Sequence, residues 1–254
     1  MFNKRLILAA GLAALVALPA ATQAEITPEE VARLSQDLTP FGAIRAGNED
    51  GSIPAWEGGL TSPADAGFPD FKTGGHHPDP FADDEVLFTI NAANMAQYSD
   101  LLTETHKALL TTYPDYFMNV YPTRRSAAAP QRIYDATARI ALTTQLIEGG
   151  NGVTGGTVGV PFPIPKDGVE AIWNHILRWR ALSAERAIGQ TAVTREGSYT
   201  MVKFVDNYLA QYSMEGITEE ELDNVIIFFK QRVAAPARLA GEVLLVHETM
   251  DQNK

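Results

Sequence analysis

The stretch TVGVPFPIPKDGVEAIWNHILRWRA, Thr157 to Ala181, joins a proline-spaced rod directly to an aromatic segment, and its reading sets the fold around it. Pro161, Pro163 and Pro165 lie two apart, so in an extended chain their missing N–H groups fall on one edge. That edge cannot pair by donating. Val160, Phe162 and Ile164 keep their donors on the other edge, a pattern that predicts an outermost strand, joined on one side and blunted on the other. Asp167 then stands three residues before Glu170, an aspartate form of the capping box, with Gly168 allowing a sharp entry into a helix. Val169, Ile172, Trp173, Ile176 and Trp179 fall on one helical face with Leu177 at its border, and Arg178 and Arg180 near the carboxyl end favour the helix dipole. Arg180 projects toward the apolar side by spacing. Three readings are open for it: snorkelling, pairing with a buried carboxylate, or lying past the last turn. Tryptophans at helical spacing are more often core than ligand cradle, and the sequence alone does not choose.

Working outward, the character of the chain differs on the two sides. Downstream, Ala192–Phe204, Val225–Val233 and Leu239–Thr249 are rich in β-branched and aromatic residues and read as antiparallel strands. Val225 to Phe229 is continuously apolar, so both faces of that strand should meet apolar surroundings, with one of them either lining a cavity or packed between sheet and helix. Upstream, Thr27-Pro28-Glu29-Glu30 opens a short helix, with Thr27 as cap, Pro28 in the first turn and two acids at the positive dipole end. Residues 39–90 are dominated by glycine, proline and aspartate and read as an irregular surface wrap. Asn91 caps a helix expected over 91–112, where Met95, Tyr98, Leu102 and Leu109 recur at helical spacing until Tyr113-Pro114. A further helix is expected over 131–141, and the proline-led helix over 168–181. The strands lie mainly within 192–249, and residues 25–254 form a single α+β domain.

Composition narrows the place and the partners. Lys4 and Arg5 precede the apolar run Leu6–Ala20, and small residues flank Gln23, so residues 1–24 read as a cleavable signal peptide. The run is short against the roughly 20 apolar residues that span hydrocarbon. Export to a bacterial periplasm follows. Cysteine is absent, which excludes disulfides and a lipid anchor on an amino-terminal thiol. Loss of the signal takes two of the 20 basic residues, leaving 230 residues and moving the formal charge from −11 to −13. Such a balance repels phosphate backbones and excludes nucleic acid as a partner. It also disfavours anionic lipid headgroups, except where the scarce basic residues cluster.

Long motifs then carry a resemblance. Gly155–His175, GGTVGVPFPIPKDGVEAIWNH, together with LTPFGAIRAGNEDGSIPAWEGGL at 38–60, ANMAQYSDLL at 92–101 and YPDYFMNVYPTRR at 113–125, resembles the domain of unknown function 1329 family. The resemblance covers nearly all of the chain after the signal. It implies an exported protein of Gram-negative bacteria and a fold akin to the Lol lipoprotein carriers. In that fold a curved antiparallel sheet, or open half-barrel, holds helices on its concave side, and in the Lol proteins the shell receives acyl chains. It also implies an association with hydrophobic-compound export by transporters of the resistance-nodulation-division class. Relatives run further than Lys254, so an incomplete shell and an exposed last strand are expected.

Other constellations argue less. Asn48, Asp50, Gly51 and Glu57 match positions 3, 5, 6 and 12 of a calcium loop, but position 1 is Ala46 and Pro54 interrupts it; a turn rich in Asn and Asp gives the same letters. His76-His77 with Asp79, Asp83 and Asp84 reads as a solvated acidic loop. No hydrolase elbow, zinc-binding H-E-x-x-H, S-x-x-K, phosphate loop or thiol is present. Asp115, Asp135, Asp206 and Asp223 offer carboxylates for paired acid–base work only if the fold joins them. The reading is therefore a non-enzymatic carrier of lipid or other hydrophobic cargo, without catalytic residues, metal or cofactor. Trp173, Trp179, Phe204, Phe228 and Phe229 are its candidate lining. The alternative is an envelope interaction module that docks on a transporter or outer-membrane protein through an open sheet edge or the proline rod.

Overall fold

The computed structural model describes residues 26–222 and 226–251. The signal segment 1–24, Asp223 and Val225 lie outside them. The first helix, α1 (Pro28–Ala32), carries a reciprocal cap: Thr27 Oγ1 accepts from the Glu30 amide and the Glu30 carboxylate accepts from the Thr27 amide. An irregular stretch then runs to β1 (Phe88–Asn91). After a 3-10 turn over Met95–Leu101 come α2 (Glu104–Thr112) and β2 (Phe117–Val120), and β2 pairs antiparallel with β1. Ile90, Leu102 and Leu110 bury one apolar cluster between these elements.

The continuous helix expected over 91–112 is not formed. Asn91 belongs to β1, its Oδ1 accepts from the Ala93 and Asn94 amides, and Asn94 returns bonds to the Asn91 amide and the Thr89 carbonyl. Such local side-chain bonds compete with the helical ladder. The helix proper starts only where Thr103 caps the His106 amide.

Next are α3 (Gln131–Ile140) and the two-residue strands β3 (Gln145–Leu146) and β4 (Val153–Thr154). The proline rod follows, and it corrects the sequence reading. Among the described residues it pairs with no strand and is not outermost; Val160, Pro161 and Phe162 are buried. Two of its donors are met by side chains instead. The Val160 amide donates to Thr137 Oγ1 at 3.0 Å and the Phe162 amide to Asn174 Oδ1 at 2.9 Å, while Asn174 Nδ2 donates back to the Phe162 carbonyl at 2.6 Å. Asn174 thus supplies the two bonds that a neighbouring strand would give.

The rod leads into α4 (Gly168–Ile176), where Asp167 Oδ1 accepts from the Val169 and Glu170 amides. The buried face of α4 is narrower than the sequence pattern implies. Trp173 is buried with Leu177 just past its end, but Val169 and Ile172 are 43% and 59% exposed. Trp173 and Leu177 join Val153, Phe162, Tyr212, Leu222, Ile226 and Met250 in the largest apolar cluster. The helix closes at Leu177, so Trp179 lies beyond it. It packs with Phe41 against a third cluster, Ile133, Ala136 and Val158.

A four-stranded antiparallel sheet completes the α+β architecture: β5 (Ser183–Val193), β6 (Tyr199–Leu209), β7 (Ile227–Ala235) and β8 (Val243–Glu248), in that spatial order, with the short α5 (Glu219–Leu222) between β6 and β7. The single strand expected over 192–204 is a hairpin, folded at Thr194–Ser198. There the Thr194 amide donates to the Ser198 carbonyl, and Gly197 takes φ +79°, a left-handed conformation that glycine adopts without strain.

Candidate functional site

Register places the chemistry of the sheet. On one face Ala184, Tyr208, Phe229 and Val246 lie in one row across the strands. Arg186, Asp206, Gln231 and Leu244 form the next, and Ile188, Phe204 and Val233 the third. The apolar members other than the exposed Leu244 are half-buried, and the sheet's main contacts are among its own strands. Of the three apolar clusters among the described residues, the largest touches this face there only through Ile227 at its foot. The other face is mixed, with Val205, Leu209, Phe228 and Leu245 among polar residues. Asn207 donates to Glu185 there, and Lys203, Lys230 and Arg232 share it.

Asp206 is 1% exposed, the deepest charge of the sheet. A buried carboxylate needs partners, and it has two: Arg186 Nη2 donates to Oδ2 at 3.2 Å and Gln231 Nε2 to Oδ1 at 3.0 Å. The pair fixes Arg186 between two rings, its guanidinium carbon 5.6 Å from the centre of Tyr208 and 5.9 Å from that of Phe229.

Beside it opens a hollow of about 240 Å³ with Ile227, Phe229 and Val246 as apolar lining. Arg180, Arg186, Tyr208 and Glu248 give it polar walls. Burial holds the Arg180 guanidinium below its ordinary value, and Arg178 nearby adds to that; it stays charged at neutral pH. Burial pushes the Tyr208 hydroxyl up, while the hydroxyl donates to the Ala181 carbonyl.

The five candidate lining residues therefore separate. Phe204 and Phe229 share the half-exposed sheet face. Phe228 points to the opposite face, its ring 4.9 Å from that of His247, because adjacent strand residues alternate. Trp173 is 3% exposed and its Nε1 donates to the Gly150 carbonyl at 2.9 Å; it belongs to the largest apolar cluster and also borders a separate hollow of about 560 Å³ with Val169, Ile172 and Ile176. Trp179 borders a different and larger groove of about 920 Å³ with Trp56, Tyr134 and Arg45.

One residue that sequence reasoning passed over holds the loop that brings Arg45 to that groove. Arg125 donates from Nη1 to the carbonyls of Arg45, Ala46 and Pro54 and from Nη2 to that of Ile44, between 2.8 and 3.4 Å. It holds the 44–54 loop across about 80 residues of sequence. The only signal for it was its place in the quoted YPTRR motif. The calcium-like letters in the same loop are turn chemistry: Asn48 Oδ1 accepts from the Ile53 amide and Asp50 Oδ1 from the Ser52 amide.

A family model described as Protein of unknown function (DUF1329) matches residues 89–254. The chain belongs to the DUF1329 family. Within that match lie α4, the whole sheet, Arg125 and every residue of the arginine-lined hollow, whereas the 44–54 loop precedes it. Among curated relatives, the uncharacterized protein PA3922 of Pseudomonas aeruginosa is 44% identical over 255 residues, which covers all of this chain. The chain spans 55% of that protein's length. No solved structure matches the DUF1329 chain.

Proposed function

We propose that this protein is a non-enzymatic periplasmic carrier for a lipid or another hydrophobic compound, held against the half-exposed face of the four-stranded sheet. The observation that supports this reading most is a pair of apolar rows, Phe229 with Val246 and Ile188 with Phe204 and Val233, flanking the Arg186–Asp206–Gln231 row on a face that joins the described apolar clusters only through Ile227 at its foot. Covering such surface stabilises a complex by about 25 cal/mol per Å² of apolar area removed from water. In this reading the sheet curves into an open half-barrel around the cargo, and the protein serves lipoprotein sorting or hydrophobic-compound export at the outer membrane.

The test is mass analysis of lipids extracted from protein purified out of periplasm, for the native chain and for Phe204→Ser with Phe229→Ser. Acyl or other apolar species present in the native protein and lost from the double variant with its fold retained support carriage. A native protein that carries nothing and takes up no added fluorescent fatty acid sinks it.

A second reading, docking on an envelope protein by strand addition, draws on β8. Val243, Leu244 and Leu245 are each more than half exposed on that terminal strand of the sheet. Co-purification of a transporter with an empty protein favours that reading.

A further inference from the structure

The apolar face accounts for a hydrocarbon tail but not for the arginines gathered at one end of it. The chain has a formal charge of −11, yet Arg178, Arg180 and Arg186 fall within nine residues, and two of them wall one small hollow. Arg186 is committed to Asp206. Arg180 is not: its Nη2 donates to the Ile176 carbonyl at a long 3.3 Å, and it forms no ion pair among the described residues. Glu248 lies in the same lining and attracts Arg180 electrostatically without pairing with it. A partly desolvated guanidinium with open donors is a receptor for a planar or tetrahedral anion, which it can grip through two parallel N–H bonds.

Around that charge the lining is apolar: Ile227, Phe229 and Val246. At about 240 Å³ the hollow falls below the roughly 300–1,000 Å³ that encloses a whole drug-sized ligand. It suits a headgroup with its first methylene groups. On the same face, beyond the hydrogen-bonded row of Arg186, Asp206 and Gln231, a second apolar row of Ile188, Phe204 and Val233 can take the far part of a chain that crosses it.

We infer that this hollow binds the anionic headgroup of an amphiphile, a carboxylate or phosphate ester on a long alkyl chain, with Arg180 as the residue that reads the charge. The inference rests on the carrier reading and narrows its cargo.

Calorimetric titration with hexadecanoate, hexadecyl phosphate and hexadecan-1-ol, each below its micelle concentration, tests it on the native protein, on Arg180→Gln and on Arg195→Gln. Arg195 sits on the exposed hairpin turn and serves as the charge control. The expected result is at least tenfold tighter binding of one or both anions than of the alcohol. That preference is lost in Arg180→Gln, with the alcohol's affinity and the melting temperature unchanged, and is kept in Arg195→Gln. Which anion is preferred identifies the source as a free fatty acid or a phosphorylated lipid. Equal binding of anions and alcohol, or a preference that survives Arg180→Gln, overturns the headgroup assignment and leaves carriage standing. Binding of none of the three overturns both.

Discussion

Tyr212 carries its hydroxyl into the largest apolar cluster, where it is 2% exposed and finds no partner among the described residues. Burial, with Glu219 nearby, pushes its ionisation far above the usual tyrosine range. An unsatisfied buried hydroxyl costs about 1–3 kcal/mol, so Tyr212→Phe should raise stability by about 1 kcal/mol in urea denaturation. A loss of that size instead would mean the hydroxyl is bonded. Trp173, a neighbour in the same cluster, gives the opposite expectation. Trp173→Ala should destabilise by about 3–5 kcal/mol, the scale of a large aromatic removed from a packed core. Cargo affinity measured at a temperature where that variant stays folded should be unchanged. The sequence identified Trp173 as apolar and placed it on the helix, but helical spacing cannot separate a residue that fills a core from one that lines a hollow. That difference depends on what covers it. Here the cover comes from Tyr212, Leu222 and Met250, all distant in the chain.

At the scale of elements, the rod shows why an extended pattern need not become a strand. Three prolines leave few amides to satisfy, and those of Val160 and Phe162 are met by Thr137 and Asn174. The segment can therefore be buried without a sheet, since every buried backbone group still needs a partner. Asn174→Ala should lower stability by about 1–3 kcal/mol, because it strands both the amide and the carbonyl of Phe162. A urea midpoint unchanged from the native protein would show that other groups take over those bonds. Close approach adds to the fit: Gly159 has φ +90°, and a Cβ there would stand 2.6 Å from the Thr137 amide nitrogen. The helix caps were legible, since Thr27 and Asp167 are recognisable by residue type and spacing. The break before α2 was not, because Asn91 and Asn94 act through their own side-chain bonds, which hydrophobic periodicity does not register. The hairpin at Gly197 was missed for a related reason. Its flanks are both β-forming, and one glycine marked the reversal.

For the whole molecule, the acidic balance was plain from composition, and its pH consequence follows from the fold. Glu30 and Glu221 are held below an ordinary value of 4.5, and Asp37, Asp50 and Asp65 below 3.8, chiefly by hydrogen bonds from Lys166, Thr218, Arg33, Ser52 and Thr61 respectively. Depressed carboxylates stabilise the folded state above their unfolded values, and that contribution is lost as pH falls through the folded ones. Unfolding midpoints should hence be flat, as far as these groups govern them, from neutrality down to about pH 5 and decline below about pH 4. Because the groups are exposed, added salt should soften the decline. A midpoint that rises on acidification would contradict the assignment. The mixed α+β class and the antiparallel pairing were readable from the clustering of β-formers after residue 192, while the first part of β5, from Ser183, was not. Which side chains meet across the sheet was not, because register is a relation between strands. Only it brings Arg186, Asp206 and Gln231 into one row.

The grip of Arg125 on four carbonyls has a consequence for how this molecule comes apart. Four bonds that meet on one guanidinium are lost together when that side chain lets go, and the ends of the loop are then left to main-chain bonds such as those from the Arg45 amide to Asp37 and from the Trp56 amide to Arg45. Trp56, whose Nε1 donates to the Ala127 carbonyl, stands just beyond the pinned stretch. Its fluorescence would report that loosening, and a protease would reach the peptide bonds from Ile44 to Pro54 more readily once the four bonds are gone.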